Sequence, residues 1–477
     1  MESSGVRQLR EAMKMAKVLG FTEREARFNR ASAYYWGKQY EDLEPWDTPE
    51  KPLREKRPSI QIGLTRKAVN RINAHLFGEG HAPTWKSEQE DKDINEALAD
   101  VVSASGLRRR YLEIGRLGCL HGTVAVGFYV FDDGRIDTEI INAGKAEPKF
   151  GRDDRAMAIE LGIAFDELLE LIEYWRTFKD DEETGERVET WHRRDWTVNA
   201  TIEYFPVAGP ISEKVKWKED AEATVTHGLG FVPAEWITPI DVAHDIDGAP
   251  LVEDVEFGLE DEVNYTLSQT GRGIRYNQEP TLLFVGVDPA NDAAIRRGGN
   301  NTLLVQNDPG DASGKADAKL LEMNGTGSAS AMDYTRMVRN LFNEIVQVVD
   351  HDPAQFIGAA SGVALERLLY PMVLLVQNLR PGYEEGLGRL LLKMLRATGA
   401  SKADDTRISA VWPPVVEPTA VDLREHSAAI VQLYELGLID RQKAIEYLAP
   451  FLDIEDVGEF LDRVDSGVMA AGTAEPK

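Results

Sequence analysis

Cysteine is almost missing from this 477-residue chain: Cys119 stands alone. One thiol closes no intrachain disulfide, and such sparse use fits a reducing compartment. No apolar run reaches the ~20 residues that a bilayer-spanning helix needs. The opening residues, Met1-Glu-Ser-Ser-Gly-Val-Arg7, lack the charged-then-apolar order of a signal peptide. A soluble cytosolic product with no membrane partner is therefore expected. Positive charge is scarce too, with 54 Lys and Arg against 81 Asp and Glu and a net charge of −27. A protein that grips nucleic acid through its phosphates carries a basic footprint. The densest one here is Arg108-Arg-Arg110, a run that serves more often as a solvated helix face or a subunit contact. The acid excess has two readings: solubility, or a surface along which phosphates slide without sticking.

Catalytic motifs begin and then fail. Gly310-Asp-Ala-Ser-Gly-Lys-Ala316 is one residue short of a phosphate loop and lacks the Ser/Thr that would hold magnesium. Gly325-Thr-Gly-Ser-Ala-Ser330 has serine where a dinucleotide loop has its third glycine, and no parallel βαβ unit surrounds it. Gly358-Ala-Ala-Ser-Gly362 is not the Gly-x-Ser-x-Gly of a hydrolase elbow. Cys119 and His121 have no second pair at zinc-ligand spacing. Asp350-His-Asp352 gathers two carboxylates and an imidazole; at a helix end such residues ordinarily cap and solvate. A magnesium-dependent nucleic-acid-processing enzyme built on Asp350 and Asp352 stays as an alternative.

Against these absences stand length and pattern. Hydrophobic residues make up 43%, a normal globular share, and the length suits about three domains. Residues 5–40 read as helical, with a break near Gly20, a Thr22/Glu25 capping box and an aromatic end, Tyr34-Tyr-Trp-Gly-Lys-Gln-Tyr40. A proline-rich loop, Glu44 to Pro58, leads to an amphipathic helix from Arg66 to Phe77. A polar helix spans Asp91 to Ser105 and another opens at Arg108. Val124 to Phe131 alternates, turns at Asp132-Asp-Gly-Arg135 and returns through Ile136 to Ile140, a hairpin signal. Strand-like pieces continue at Leu168 to Trp175, Arg187 to Trp191 and Trp196 to Tyr204. Leu251 to Gln269 reads as a helix with Val252, Val255, Leu259, Val263 and Leu267 on related faces. It carries Glu253, Asp254, Glu256, Glu260, Asp261 and Glu262 and no Lys or Arg. Gly271-Arg-Gly-Ile-Arg275 leaves it, and strand candidates follow at Thr281 to Val287, Thr302 to Gln306 and Lys319 to Met323.

The organising stretch runs from Lys319 to Leu375. After a Gly/Ser turn comes a helix, Ala331 to Val349, with Met332, Met337, Val338, Leu341, Ile345, Val348 and Val349 at three- and four-residue steps. Ser328 or Ser330 suits its N-cap. Asp350-His-Asp-Pro353 stops it, because proline disfavours helical geometry in the residue before it. A loop of small residues, Ala354 to Gly362, gives way to a very apolar helix from Val363 past Pro371. Two long helices joined by such a loop resemble the tailed-phage portal proteins, the head-to-tail connectors. The residues that carry the resemblance are Leu320-Leu-Glu-Met-Asn-Gly325, the helix from Asp333, Asp352-Pro-Ala-Gln-Phe-Ile-Gly358, and Ser361-Gly362 with Ala364-Leu365. Tyr34-Tyr35 with Gly37, His227-Gly-Leu-Gly-Phe-Val-Pro233, Asn264-Tyr265 and Leu436-Gly-Leu-Ile439 extend it over most of the chain.

The resemblance implies an α+β, mainly helical portal fold. Its parts would be a wing (1–248), a first stem helix (249–270), a small β-containing clip (271–327) and a second stem helix (328–350). A tunnel loop (351–362), a kinked helix returning to the wing (363–418), a helical crown (419–466) and a disordered tail (467–477) complete it. It further implies a ring-shaped homo-oligomer, a dodecamer by resemblance, conducting double-stranded viral DNA non-specifically during packaging, retention and ejection. Partners would be the terminase large subunit, major capsid and scaffolding proteins, and a head-completion or adaptor protein. The location would be the portal vertex of the virion, and the host cytoplasm during assembly. Asp352, Pro353, Ala354, Gln355, Phe356, Ile357, Gly358, Ser361 and Gly362 would face the DNA. Glu253, Glu256, Glu260, Arg336 and Arg339 would line the channel wall, and Arg272, Arg275, Arg296, Arg297 and Lys315 would meet partners at the clip. No active site, metal or cofactor is implied. A minor head or adaptor component of a virion is the nearer alternative.

Overall fold

The computed structural model of the chain describes residues 23–44, 56–89, 91–131, 133–180, 187–209, 215–278, 281–285, 302–305, 317–321, 326–349, 362–399, 406–416, 420–449, and 458, 460, 461 and 464. Among them are ten α-helices and fourteen strands, a mixed α+β architecture. The chain divides into two compact units: Met1–Val348 with Leu375–Pro413, and Val349–Leu374 with Pro414–Lys477.

The first unit opens with α1 (Glu23–Trp36), α2 (Leu64–Phe77), β1 (Thr84–Ser87), α3 (Lys92–Ala104) and α4 (Leu107–His121). The Asp91 carboxylate caps α3 by accepting from the Asp93 and Ile94 N–H groups. The apolar rows of these helices turn inward: Val69, Ile72 and Leu76 on α2, and Leu107, Ile114 and Leu120 on α4. The two helices approach closely, since a Cβ on Gly115 would meet the Asn73 side chain at 2.1 Å.

Strands follow: β2 (Val124–Val130), β3 (Ile136–Ile141) and β4 (Ala146–Phe150), then α5 (Arg155–Leu161), β5 (Leu168–Asp180), β6 (Arg187–Thr197), β7 (Ala200–Glu203), β8 (Val207–Ala208), β9 (Val225–Thr226) and β10 (Ala234–Ile237). The expected hairpin is present as β2 paired antiparallel with β3, and β10 takes the other edge of β2. A larger sheet runs β4-β5-β6-β7-β9, with β8 on β6. Phe28, Ile141, Leu171, Trp196, Val232 and Trp236 share one core that joins α1 to both sheets.

Then come α6 (Asp254–Gln278), β11 (Thr281–Val285), β12 (Thr302–Val305), β13 (Asp317–Leu321) and α7 (Thr326–Ile345). The three expected strands form one sheet, with central β11 parallel to β12 and antiparallel to β13. α8 (Gly362–Ala397) follows, and β14 (Ile408–Val411) pairs with β1. In the second unit α9 (Ala420–Glu435) is followed by α10 (Arg441–Leu448), which Asp440 caps by accepting from the Lys443 N–H at 2.7 Å.

Helix limits depart from expectation in two places. α6 does not end near Gln269 but runs through Gly271 and Gly273, so Arg272 and Arg275 stand on the helix rather than beyond it. A glycine costs a helix about 1 kcal/mol relative to alanine, too little to end one this long. α7 begins at Thr326, which puts Ser328 and Ser330 inside its first turns rather than at a cap, and it ends at Ile345, short of Asp350. Its end is a Schellman turn: Gln347 takes a φ of 58°, its N–H donates to Glu344 C=O, and the Val348 N–H reaches Asn343 C=O. α8 is 36 residues long and breaks at neither Pro371 nor Pro381. Both prolines are exposed, so the carbonyl each leaves without a donor can reach water. The opposite face, with Val376, Leu379, Tyr383, Leu387, Leu390 and Met394, is buried and holds the helix in place.

Candidate functional site

The site expected on the first long helix has a different chemistry from the one its sequence suggested. A residue every four positions along α6 points inward, and all four are polar: Glu256, Glu260, Asn264 and Ser268 are buried. Glu260, Asn264 and Ser268 face the extended segment that leads into α2, whose backbone N–H groups have no strand partner. Ser268 Oγ accepts from the Ile60 N–H at 2.9 Å, and Asn264 Oδ1 from the Ile62 N–H at 3.0 Å. Glu260 Oε2 accepts from both the N–H and the hydroxyl of Thr65, at 2.8 and 2.7 Å. At the start of the helix Glu256 turns back to accept from the Glu253 N–H at 2.8 Å, half of a capping box. The helix thus reads a stretch of backbone through a ladder of side-chain acceptors.

The aromatic end of α1 closes on the same helix. Tyr34 and Tyr40 donate their hydroxyls to the two oxygens of Asp261, at 2.8 and 2.5 Å. Asn264 Nδ2 donates back to the Tyr40 oxygen at 3.1 Å, and Tyr265 donates to the Lys56 carbonyl at 3.0 Å. The Tyr34 ring stacks on Phe257, centroids 4.2 Å apart. Burial raises the Glu260 carboxyl above its ordinary value against the pull of Thr65. Burial likewise raises Asp261, against the hydrogen bonds from Tyr40 and Tyr34. The same burial, with Asp261 alongside, drives both tyrosine hydroxyls far up and keeps them donors.

Two expected channel-wall residues are enclosed by their own chain: Glu260 holds the Thr65 N–H and hydroxyl, and Glu256 holds the Glu253 N–H. Glu253 is exposed at the helix start. On α7, Arg336 is exposed and pairs with Asp333 at 3.1 Å, and Arg339 is half-buried. Arg272 and Arg275 are exposed on the last turns of α6. Arg296, Arg297, Lys315 and the tunnel-loop residues Asp352 to Ser361 lie outside the described residues, while Gly362 opens α8. Thr65, Tyr34, Tyr40, Asp261, Asn264 and Ser268 were not singled out as a set from the sequence. Their signal was the four-residue polar step, legible only once its partner is known.

α7 packs along α6, with the Tyr334 hydroxyl 3.4 Å from Glu262 Oε1. Thr335, Val338 and Phe342 are buried on one side of α7, as is Val346 in the turn that ends it. Tyr334, Met337, Leu341 and Ile345 form a second row at three- and four-residue steps, and all four are exposed. A soluble helix normally carries polar side chains at such exposed positions.

Solved structures similar to the chain include the neck of an empty gene transfer agent (GTA) particle computed with C6 symmetry. The identity is 11% and the TM-score 0.46, covering 81% of this chain and 89% of that one. The virion of a native GTA particle matches at 10% identity and a TM-score of 0.44, with the same coverage. Among curated proteins no relative matches. The family model described as phage portal protein, SPP1 Gp6-like, matches residues 18–463. That span takes in both compact units and nearly every described element, so the chain belongs to the SPP1 Gp6-like family of phage portal proteins.

Proposed function

We propose that the chain assembles with copies of itself into a ring, a dodecamer by family resemblance, at one vertex of a capsid. The ring conducts double-stranded DNA during packaging, retention and ejection and docks the terminase and head-completion proteins. It has no active site of its own. Family membership over residues 18–463 is the foundation. The observation that carries the assembly is the outward apolar row Tyr334, Met337, Leu341 and Ile345, on a helix whose other side is already satisfied. A closed ring joins two different faces of one subunit, and this row is well placed to be one of them. The tunnel loop, Asp352 to Gly362, is proposed to reach the bore on resemblance alone.

End-on electron-microscopy images and native mass spectrometry of the purified chain test this reading. Annular particles with a central hole and one dominant subunit number are expected. Leu341→Asp is expected to abolish them while leaving the fold intact, since Leu341 is exposed. A parent chain that stays monomeric or forms only small oligomers would count against the ring and favour an adaptor or minor head component.

A further inference from the structure

Arg380 stands on α8 with its guanidinium carbon 5.0 Å from the centre of the Trp412 indole. Its Nε and Nη2 are buried and meet no acceptor, and the Trp412 indole nitrogen is in the same state. All three are donors, so the missing partner is an acceptor. Arg380 as a whole is half-buried. Burial alone holds the guanidinium below its ordinary value, with no carboxylate opposing it. A cation withdrawn from water without a counter-charge is unfavourable.

The same unit shows what this edge of an arginine takes. Arg24 lays Nε and Nη2 on the two oxygens of Asp247 at 2.6 and 2.8 Å. Arg193 lays the same pair on Asp195 at 2.7 and 2.6 Å. Farther along α8, Arg389 is held by Glu235, Glu385 and Asp166. Arg380 presents the Arg24 fork with the carboxylate left out.

We propose that the Nε/Nη2 edge of Arg380, flanked by the Trp412 indole N–H, is a carboxylate-binding site filled by an Asp or Glu of a second copy of this chain. A planar fork matches two carboxylate oxygens, and the indole supplies a third donor to a group with spare lone pairs. With 81 Asp and Glu against 54 Lys and Arg, every copy carries acids in excess of its own cations. A DNA phosphate fits less well, because phosphate tracking uses an extended basic footprint and this is a single fork in an acidic chain. The choice of a second copy rests on the ring reading above; the carboxylate chemistry does not.

The test uses the full chain beside Arg380→Met, which keeps an extended side chain and removes the donors, and Arg380→Lys, which keeps the charge and loses the fork. Thermal unfolding of separated subunits is followed at constant ionic strength as chloride is replaced by acetate, and in a second series by inorganic phosphate. Oligomers are counted by native mass spectrometry. Acetate is expected to raise the midpoint of the parent and of neither variant, and both variants are expected to shift rings toward smaller species. An equal acetate response in all three chains overturns the site. Protection by phosphate and not by acetate overturns the carboxylate assignment. An acetate response that depends on Arg380 in a parent that forms no rings leaves the site standing and removes the ring. Rings that assemble equally well in parent and variants overturn the second copy as the donor. Arg380→Lys keeps the test decisive if Arg380→Met fails to fold.

Discussion

α6 and the later half of α8 are long helices seated in the same unit, yet they bury opposite chemistry. From Val376 to Met394, α8 hides Leu379, Tyr383, Leu387, Leu390 and Leu391, and sets Gly382 and Gly386 against the end of β10. α6 hides Glu256, Glu260, Asn264 and Ser268 and gives Val255 to solvent at 65% exposure. Apolar burial stabilises in proportion to area, about 25 cal/mol per Å², and is indifferent to direction. A hydrogen-bonded ladder contributes only about 1 kcal/mol per bond, but an unmatched buried donor costs more than a matched one stabilises. One seat therefore supplies stability, and the other fixes which residue of the helix meets which residue of the chain.

The apolar seat breaks most severely where it has no slack. A Cβ on Gly382 would lie 2.4 Å from the Pro239 carbonyl oxygen and 2.6 Å from that of Thr238, both backbone atoms that cannot turn aside. Gly382→Ala should therefore lower stability by about 3 kcal/mol, measured by denaturant unfolding. Helix propensity alone expects a gain of about 1 kcal/mol from the same change, so a stabilised variant would show that α8 does not press on β10.

The polar seat should respond to chemistry rather than size. Glu260→Ala leaves the Thr65 N–H and hydroxyl without their acceptor and should cost about 2 kcal/mol. Glu260→Gln keeps a carbonyl oxygen at that position and should fall within about 1 kcal/mol of the parent. The pair also separates with pH. Burial raises the folded carboxyl above 4.5, its unfolded value, so the native state binds the extra proton. Stability from this group is then present in acid and lost as pH rises from about 4.5 upward. Urea titrations across that range should show a shallower decline for Glu260→Gln. An identical slope in both chains would mean that Glu260 is no more strained when charged than in the unfolded chain.

The contrast also explains what the sequence could convey. The β2–β3 hairpin, the β11–β13 strands and the buried faces of α2 and α8 follow from alternation, turn residues and apolar periodicity, each a local signal. α6 misled because its apolar and acidic residues were sorted by the same rule. Val255 was grouped on related faces with Val252, Leu259, Val263 and Leu267, and Glu260 was expected on a channel wall, whereas Val255 is exposed and the helix docks through Glu260 and Asn264 on backbone N–H groups from residues about 200 positions earlier. No window of sequence contains both halves of that match. Likewise the excess of acids did not disclose where each one points; some of them, Glu260 and Asp261 among them, serve the interior. Pro371 and Pro381 lie on the exposed side of α8, so the helix runs past Pro371 as expected and continues through Pro381, where the sequence left the matter open.

The smallest effect sits where α7 ends. Gln347 holds a φ of 58°, a left-handed geometry that costs a side chain about 1 kcal/mol and costs glycine almost nothing. Its N–H bond to Glu344 and the Val348 bond to Asn343 are backbone bonds, so a glycine keeps both. Glycine also loses more freedom on folding, which offsets part of the gain. Gln347→Gly should therefore stabilise the chain by about 0.5 kcal/mol, and Gln347→Val should destabilise it by more than that, since a β-branched side chain is worse in this region. If the two variants unfolded together, α7 would have to end by some other turn, and the helix that carries the outward row would be set by tertiary packing rather than by its own cap.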